Sequence, residues 1–128
     1  MERAYAPDER TPAPGPAAVI LTITPNPALD RAVFVRGFRL GAVIRAEREA
    51  LSPCGKGVST SLVIHELGGV TVALGLRAGF TGQQLTALLD ARGVLHDFAE
   101  AQGETRTAIV LIDIEAGQQS TITAPTLQ

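Results

Sequence analysis

Apolar residues recur along the chain in two rhythms, continuous or alternating runs and runs at helical spacing. Residues 17–24 hold the β-rich string Val19-Ile20-Leu21-Thr22-Ile23-Thr24, which suits a strand covered on both faces. It stops at Thr24-Pro25-Asn26-Pro27, where each proline pushes its predecessor into an extended conformation and removes a donor. Ala28-Leu29-Asp30 then turns the chain into 31–36, whose Val33 and Val35 alternate as a second, half-exposed strand. Residues 38–51 read two ways. Glu47-Arg48-Glu49-Ala50-Leu51 has helical propensity, while Ile44, Ala46 and Ala50 fit an alternating strand between Gly41 and Pro53. Propensity alone favours the helix.

The second half is more regular. Residues 52–57 read as a loop and turn, followed by a helix with Thr60, Val63, Ile64 and Leu67 as its inward stripe and Gly68-Gly69 as its stop. Residues 70–76 form a strand with Val70, Val72, Leu74 and Leu76 on one face and small residues on the other. After a loop at 77–81, Thr81 and Gln84 make a capping box for a helix carrying Leu85, Leu88 and Leu89 and closed by Gly93. A short strand at 95–99 and a strongly apolar one at 107–114 follow, with a hairpin turn at 115–118 leading into 120–124. Strand, helix, strand, helix, strand implies a parallel or mixed α/β sheet, with ligands beyond the carboxyl ends of its strands. The loops 25–30, 52–57 and 77–82 should gather there.

Composition narrows the partners. The 128 residues, 45% hydrophobic, suffice for one core and one domain. A net charge of −2, with the arginines scattered, offers no basic face for nucleic acid. The single cysteine permits no intrachain disulfide, which fits a reducing, cytoplasmic setting. His65 and His96 stand far apart without cysteine partners, so no structural zinc site is expected. No apolar run reaches the length of a membrane span. Residues 1–16, rich in Pro, Ala and charge, read as a disordered leader outside the fold and not as a secretory signal.

The chemistry centres on Ser52-Pro53-Cys54-Gly55-Lys56-Gly57, which holds the only lysine of the chain at the start of a helix. Exposed N–H groups and the helix dipole favour an anion there, and Lys56 adds a full charge. The alternative is an ordinary turn whose lysine points into water. Standard nucleotide loops do not fit: Ala50 and Gly57 break the P-loop pattern, Thr60 replaces the third dinucleotide glycine, and 70–84 contains no acidic residue. Asp30 can hold two hydroxyls of a polyol or satisfy its own turn. Asn26 can bond a ligand or fix the double-proline turn. Arg106 offers a fork that matches phosphate, or is an edge-strand charge in water. Cys54 is either a thiol acidified by the helix terminus or an inert small residue. His65 reads as a surface histidine.

Taken together, Thr24-Pro25-Asn26-Pro27-Ala28-Leu29-Asp30, Gly55-Lys56-Gly57, Glu66-Leu67-Gly68-Gly69, Gly79-Phe80-Thr81-Gly82 and Gly103-Glu104-Thr105-Arg106 closely resemble the PfkB (ribokinase-like) sugar kinases. Within that family the sequence looks most like the branch of 1-phosphofructokinase and tagatose-6-phosphate kinase. The resemblance runs in unbroken order from Val19 to about Thr123. It implies a three-layer α/β domain over 17–128, present as its N-terminal half, with a small β lid drawn from segments within about 31–51. That makes the ambiguous segment strand. It also implies that Asp30 holds sugar hydroxyls, that Gly55, Lys56 and Gly57 cradle the substrate, and that Arg106 lies near its phosphate. Asn26 and Ser59 join the substrate-binding set.

The implied reaction is transfer of the ATP γ-phosphate to a sugar-phosphate hydroxyl, with Mg²⁺ neutralising charge. Two subunits are expected to pair through the lid, or the chain to join a complementary C-terminal half. The departures are specific. Cys54 stands where relatives have glycine, which would be strained at positive φ, and Ser59 stands where they have asparagine. Their Gly-Ala-Gly-Asp motif, with the catalytic aspartate and the ATP and Mg²⁺ sites, has no counterpart in the 128 residues. No catalytic residue is therefore assigned. Three readings follow: a substrate-binding portion inactive alone, a non-catalytic sugar-phosphate-binding remnant, or an unstable fragment with an uncovered apolar strand at 107–114.

Overall fold

The computed structural model describes residues 18–125; the stretch 1–16 expected as a leader lies outside the described residues. In chain order the elements are β1 (Val19–Thr24), β2 (Ala28–Val35), β3 (Arg48–Cys54), α1 (Lys56–Glu66), β4 (Val70–Arg77), α2 (Gly79–Ala91), β5 (Leu95–Glu100), β6 (Arg106–Asp113) and β7 (Gln118–Thr123). They form two sheets. A parallel body sheet runs β1-β4-β5, and a mixed lid sheet runs β3-β2-β6-β7. The lid therefore takes far more of the chain than 31–51. Its β6 is paired on both edges, parallel to β2 and antiparallel to β7, so the apolar strand expected at 107–114 is not an open edge.

The core lies on one face of the body sheet. Val58, Ala73, Leu85, Leu89, Val94 and Phe98 are buried together, with Leu62 against them. Helix α1 packs on β1 and β4, and α2 on β5 and the near ends of β2 and β3. Within the body sheet β4 needs a glycine beside its neighbours: a Cβ on Gly75 would collide with the Thr24 carbonyl of β1 and lie 2.8 Å from the Phe98 ring of β5.

Three expectations are overturned here. The inward face of α1 is Val58 and Ser61, with Leu62 half-buried; Thr60, Val63 and Leu67 are exposed. Polar side chains point inward because they satisfy one another. Thr71 Oγ1 donates to the Ile20 carbonyl at 3.0 Å, which fixes the remaining proton order: Ser61 Oγ donates to Thr71 and Thr22 Oγ1 donates to Ser61, both at 2.7 Å. Strand β1 is covered on one face only, with Leu21 60% and Ile23 69% exposed on the other. Finally, α2 starts at Gly79 with Ala78 as N-cap, so Thr81 makes no capping box with Gln84.

Segment 38–51 resolves as irregular chain and then β3, which continues through Pro53 to Cys54 instead of looping at Ser52. β3 pairs only with β2, and an edge strand tolerates proline because one side of its backbone needs no partner. At the far end of the lid the Asp113 carboxylate accepts from the N–H groups of Gly37, Phe38, Glu115 and Ala116, tying the chain after β2 to the β6–β7 turn. Those donors, Phe38 first, hold its carboxyl below the usual carboxylate range.

Candidate functional site at the body–lid junction

Thr24, the last residue of β1, shapes the start of α1. Its Oγ1 accepts from the Val58 N–H at 3.0 Å, supplying from another strand the cap that Gly55, at the N-cap position, has no side chain to make. The close approach explains both glycines. A Cβ on Gly55 would lie 2.5 Å from Thr24 Cγ2, at a φ of 134° that L-residues avoid, and one on Gly57 would lie 2.5 Å from Thr24 Oγ1. No non-glycine residue has positive φ among the described residues, so Cys54 is unstrained.

Beside this terminus lies a cavity of about 460 Å³ lined by Ile23, Thr24, Pro25, Asn26, Gly55, Lys56, Gly57 and Arg106. A helix leaves its first N–H groups without intrahelical partners; Thr24 takes one, and Gly55, Lys56 and Gly57 line the cavity. Arg106 enters β6 in register with Ala28 of β2 and reaches back, Nη2 to the Asn26 carbonyl, at 3.4 Å. Two buried polar atoms of lining residues, Asn26 Oδ1 and Arg106 Nε, have no partner. Both are enclosed by protein, where an unmade hydrogen bond costs about 1–3 kcal/mol.

The other sequence candidates sit elsewhere. Asp30 lies within β2 rather than in a loop, and with Ser59 it flanks the Cys54 thiol outside the cavity lining. Burial, then the Asp30 carboxylate, pushes the Cys54 thiol up, so the helix terminus does not make it an acidic thiol. Of the three loops expected to converge, 25–30 and 52–57 contribute lining residues and 77–82 does not. That third loop instead grips Glu104 and Thr105, the residues just before Arg106. The sequence reading assigns no role to Glu104 or Thr105, because in Gly103-Glu104-Thr105-Arg106 only the arginine has chemistry that matches a phosphate. The facing Gly79 and Gly82 were the available signal: a Cβ on either would meet the Glu104 carboxyl or Thr105 Oγ1.

The lining donors, an ammonium, a guanidinium and helix N–H groups, suit an anion. Among the described residues, no group of three or more His, Cys, Asp or Glu able to hold a metal occurs and no helix is long and apolar enough to cross a membrane. The family model described as "pfkB family carbohydrate kinase" matches residues 26–127. The chain belongs to the pfkB family of carbohydrate kinases.

Among similar proteins, this pfkB-family chain is 34% identical over 94 residues to 1-phosphofructokinase of Borreliella burgdorferi, covering 73% of this chain and 31% of that protein. It is 32% identical over 93 residues to 1-phosphofructokinase of Bacillus subtilis, with the same 73% and 31% coverage. Its fold superimposes on phosphofructokinase-2 of Escherichia coli in complex with fructose-6-phosphate with a TM-score of 0.79 at 28% identity, covering 84% of this chain and 35% of that one. A possible 1-phosphofructokinase from Thermotoga maritima gives 0.79 at 32% identity, covering 86% and 36%. The chain thus spans about a third of the length of these relatives, as part of a ribokinase-like α/β fold with a β lid.

Proposed function

We propose that the chain supplies the sugar-phosphate grip of an ATP-dependent kinase of the 1-phosphofructokinase kind, and that these 128 residues alone bind without turnover. The observation that carries this is the lining itself, which brings the Lys56 ammonium, the Arg106 guanidinium and the Asn26 amide to one cavity beside the start of α1. A phosphorylated sugar offers phosphate oxygens to the two cations and hydroxyls to the amide. In this reading Lys56, Arg106 and the N–H groups at Gly55-Lys56-Gly57 hold the phosphate, and Asn26 orients the sugar. Asp30 and Ser59 complete the hydroxyl contacts only if the Cys54 thiol between them gives way. The ATP and Mg²⁺ of the family's chemistry do not fit the lining found here, which has no carboxylate to hold a cation, so no step is routed through them.

Titration calorimetry with fructose 1-phosphate, fructose 6-phosphate and tagatose 6-phosphate tests the reading. Arg106→Ala should lower the affinity of the preferred ligand about 10- to 100-fold, the range for a hydrogen bond to a charged group. No binding of any of the three at millimolar concentration would end the proposal, and unaided phosphorylation of fructose 1-phosphate would end its inactivity clause. Pairing of two copies through the lid belongs to the same reading and is checked by light scattering. The Asp30–Cys54 contact favours a second reading, a binding module without a kinase role, which a Cys54→Gly variant separates by restoring affinity without restoring turnover when complementary kinase residues are supplied.

A further inference from the structure

Arg106 has few restraints of its own: a single long bond to the Asn26 carbonyl and an Nε without a partner. Its position is set by the two residues before it. The Glu104 carboxylate accepts from the Phe80 N–H at 3.1 Å with one oxygen and from the Thr81 N–H at 3.0 Å with the other, closing over the first turn of α2. Thr105, 2% exposed, grips Ala78 twice: its Oγ1 accepts from the Ala78 N–H and its own N–H donates to the Ala78 carbonyl, both at 2.9 Å. Four hydrogen bonds thus pin the entry to β6 onto the body. Gly79, at a φ of 61°, leaves the space that the Glu104 carboxyl fills.

We propose that Glu104 is a positioning residue for anion binding: by fastening to the N-terminus of α2 it sets the guanidinium of Arg106 in the cavity. The inference rests on the sugar-phosphate reading above but not on which sugar is bound. Removing the carboxylate leaves Thr105 and the β6 ladder to hold the fold, since Ala28 to Val35 stay paired with β6. What loosens is the short exposed stretch 102–104 that aims the arginine.

The experiment compares wild type, Glu104→Ala, Glu104→Gln, Arg106→Ala and the Glu104→Ala/Arg106→Ala double variant in titrations with fructose 1-phosphate. Heteronuclear relaxation of the Arg106 Nε–Hε group is measured without ligand. Glu104→Ala should weaken binding about tenfold, as expected when a charged contact is misplaced, and the double variant should bind no worse than Arg106→Ala alone. Glu104→Gln keeps one acceptor oxygen and should fall between wild type and Glu104→Ala. Losses that multiply in the double variant overturn the proposal, because Glu104 would then act independently of Arg106. The relaxation readout separates the two ideas. If wild type binds no sugar phosphate, the functional reading fails, yet greater Nε–Hε mobility in Glu104→Ala and Glu104→Gln still upholds the clamp. Unchanged mobility overturns it.

Discussion

Replacing Gly57 by alanine puts two opposing effects on one residue, and the structure says which wins. Gly57 lies in the first turn of α1 without a positive φ, so propensity alone favours alanine by at most about 1 kcal/mol. Against that, the new Cβ would lie 2.5 Å from Thr24 Oγ1 and 2.9 Å from the Ile23 carbonyl oxygen. The hydroxyl can rotate away, but it then leaves the Val58 N–H, and losing such a cap costs about 1 kcal/mol. The carbonyl cannot withdraw, because it belongs to β1 in register with Leu74 of β4. Helix α1 must therefore move off the sheet, an overpacking cost of about 1–3 kcal/mol. The net expectation is a loss of about 1–3 kcal/mol, or roughly 4 °C of melting temperature per kcal/mol at this size. Urea unfolding followed by far-ultraviolet circular dichroism measures it, with an unchanged slope expected. Adding Thr24→Ala should return part of the loss by removing the opposing oxygen. A Gly57→Ala protein as stable as wild type would mean that α1 sits farther from β1 than described, and the cavity wall would fall with it.

Two further outcomes follow from buried or clustered polar groups. Ser61→Ala leaves the Thr22 proton without its acceptor and Thr71 without its donor, and should lower stability by about 1–3 kcal/mol in thermal melts; no change would dissolve the hydroxyl chain. Asp113 is held below the usual carboxylate range by the N–H groups it accepts from, so its contribution is full above an unfolded-state pKa of about 3.9 and is lost as pH falls through the lower folded value. The urea midpoint of wild type should therefore decline on acidification below about pH 4 more steeply than that of Asp113→Asn, and parallel profiles would refute the assignment.

Element order was readable because apolar runs and glycine stops are local signals. Strand β4, the stop of α1 at Gly68 and the β6–β7 turn stand within a residue or two of where the pattern put them. Orientation was not readable. Periodicity marks an amphipathic element but does not say which side is inward, and on α1 and β1 the inward side is the hydroxyl-bearing one, satisfied by partners on another element. Asp30 was misplaced for a related reason. Nothing in Ala28-Leu29-Asp30 shows that β2 is already paired on both sides, with β3 and β6, which is what draws these three residues into the strand. The cavity was half legible: Asn26, Gly55, Lys56, Gly57 and Arg106 line it. The Glu104 clamp leaves only Gly79 and Gly82 as its trace in the sequence, because a helix N-terminus can be capped from elsewhere in the chain as well as by its own first residues.

The placement of the polar lining has a common cause. The chain crosses between body and lid three times, from β1 to β2, from β3 to α1 and from β5 to β6. Asn26 lies on the first crossing, Gly55, Lys56 and Gly57 on the second, and Arg106 ends the third. Each lining group that can hold an anion or a hydroxyl is therefore carried by a segment whose path depends on how the two sheets sit. Each crossing is also stiffened by a different device. Pro25 and Pro27 restrict the first, Thr24 crowds Gly55 and Gly57 at the second, and Glu104 with Thr105 staples the third to α2. A grip assembled from three independent strokes of backbone would otherwise have to be ordered at the moment of binding, at a cost in affinity for each mobile segment. Loosening any one crossing should then weaken ligand binding more than it weakens the fold.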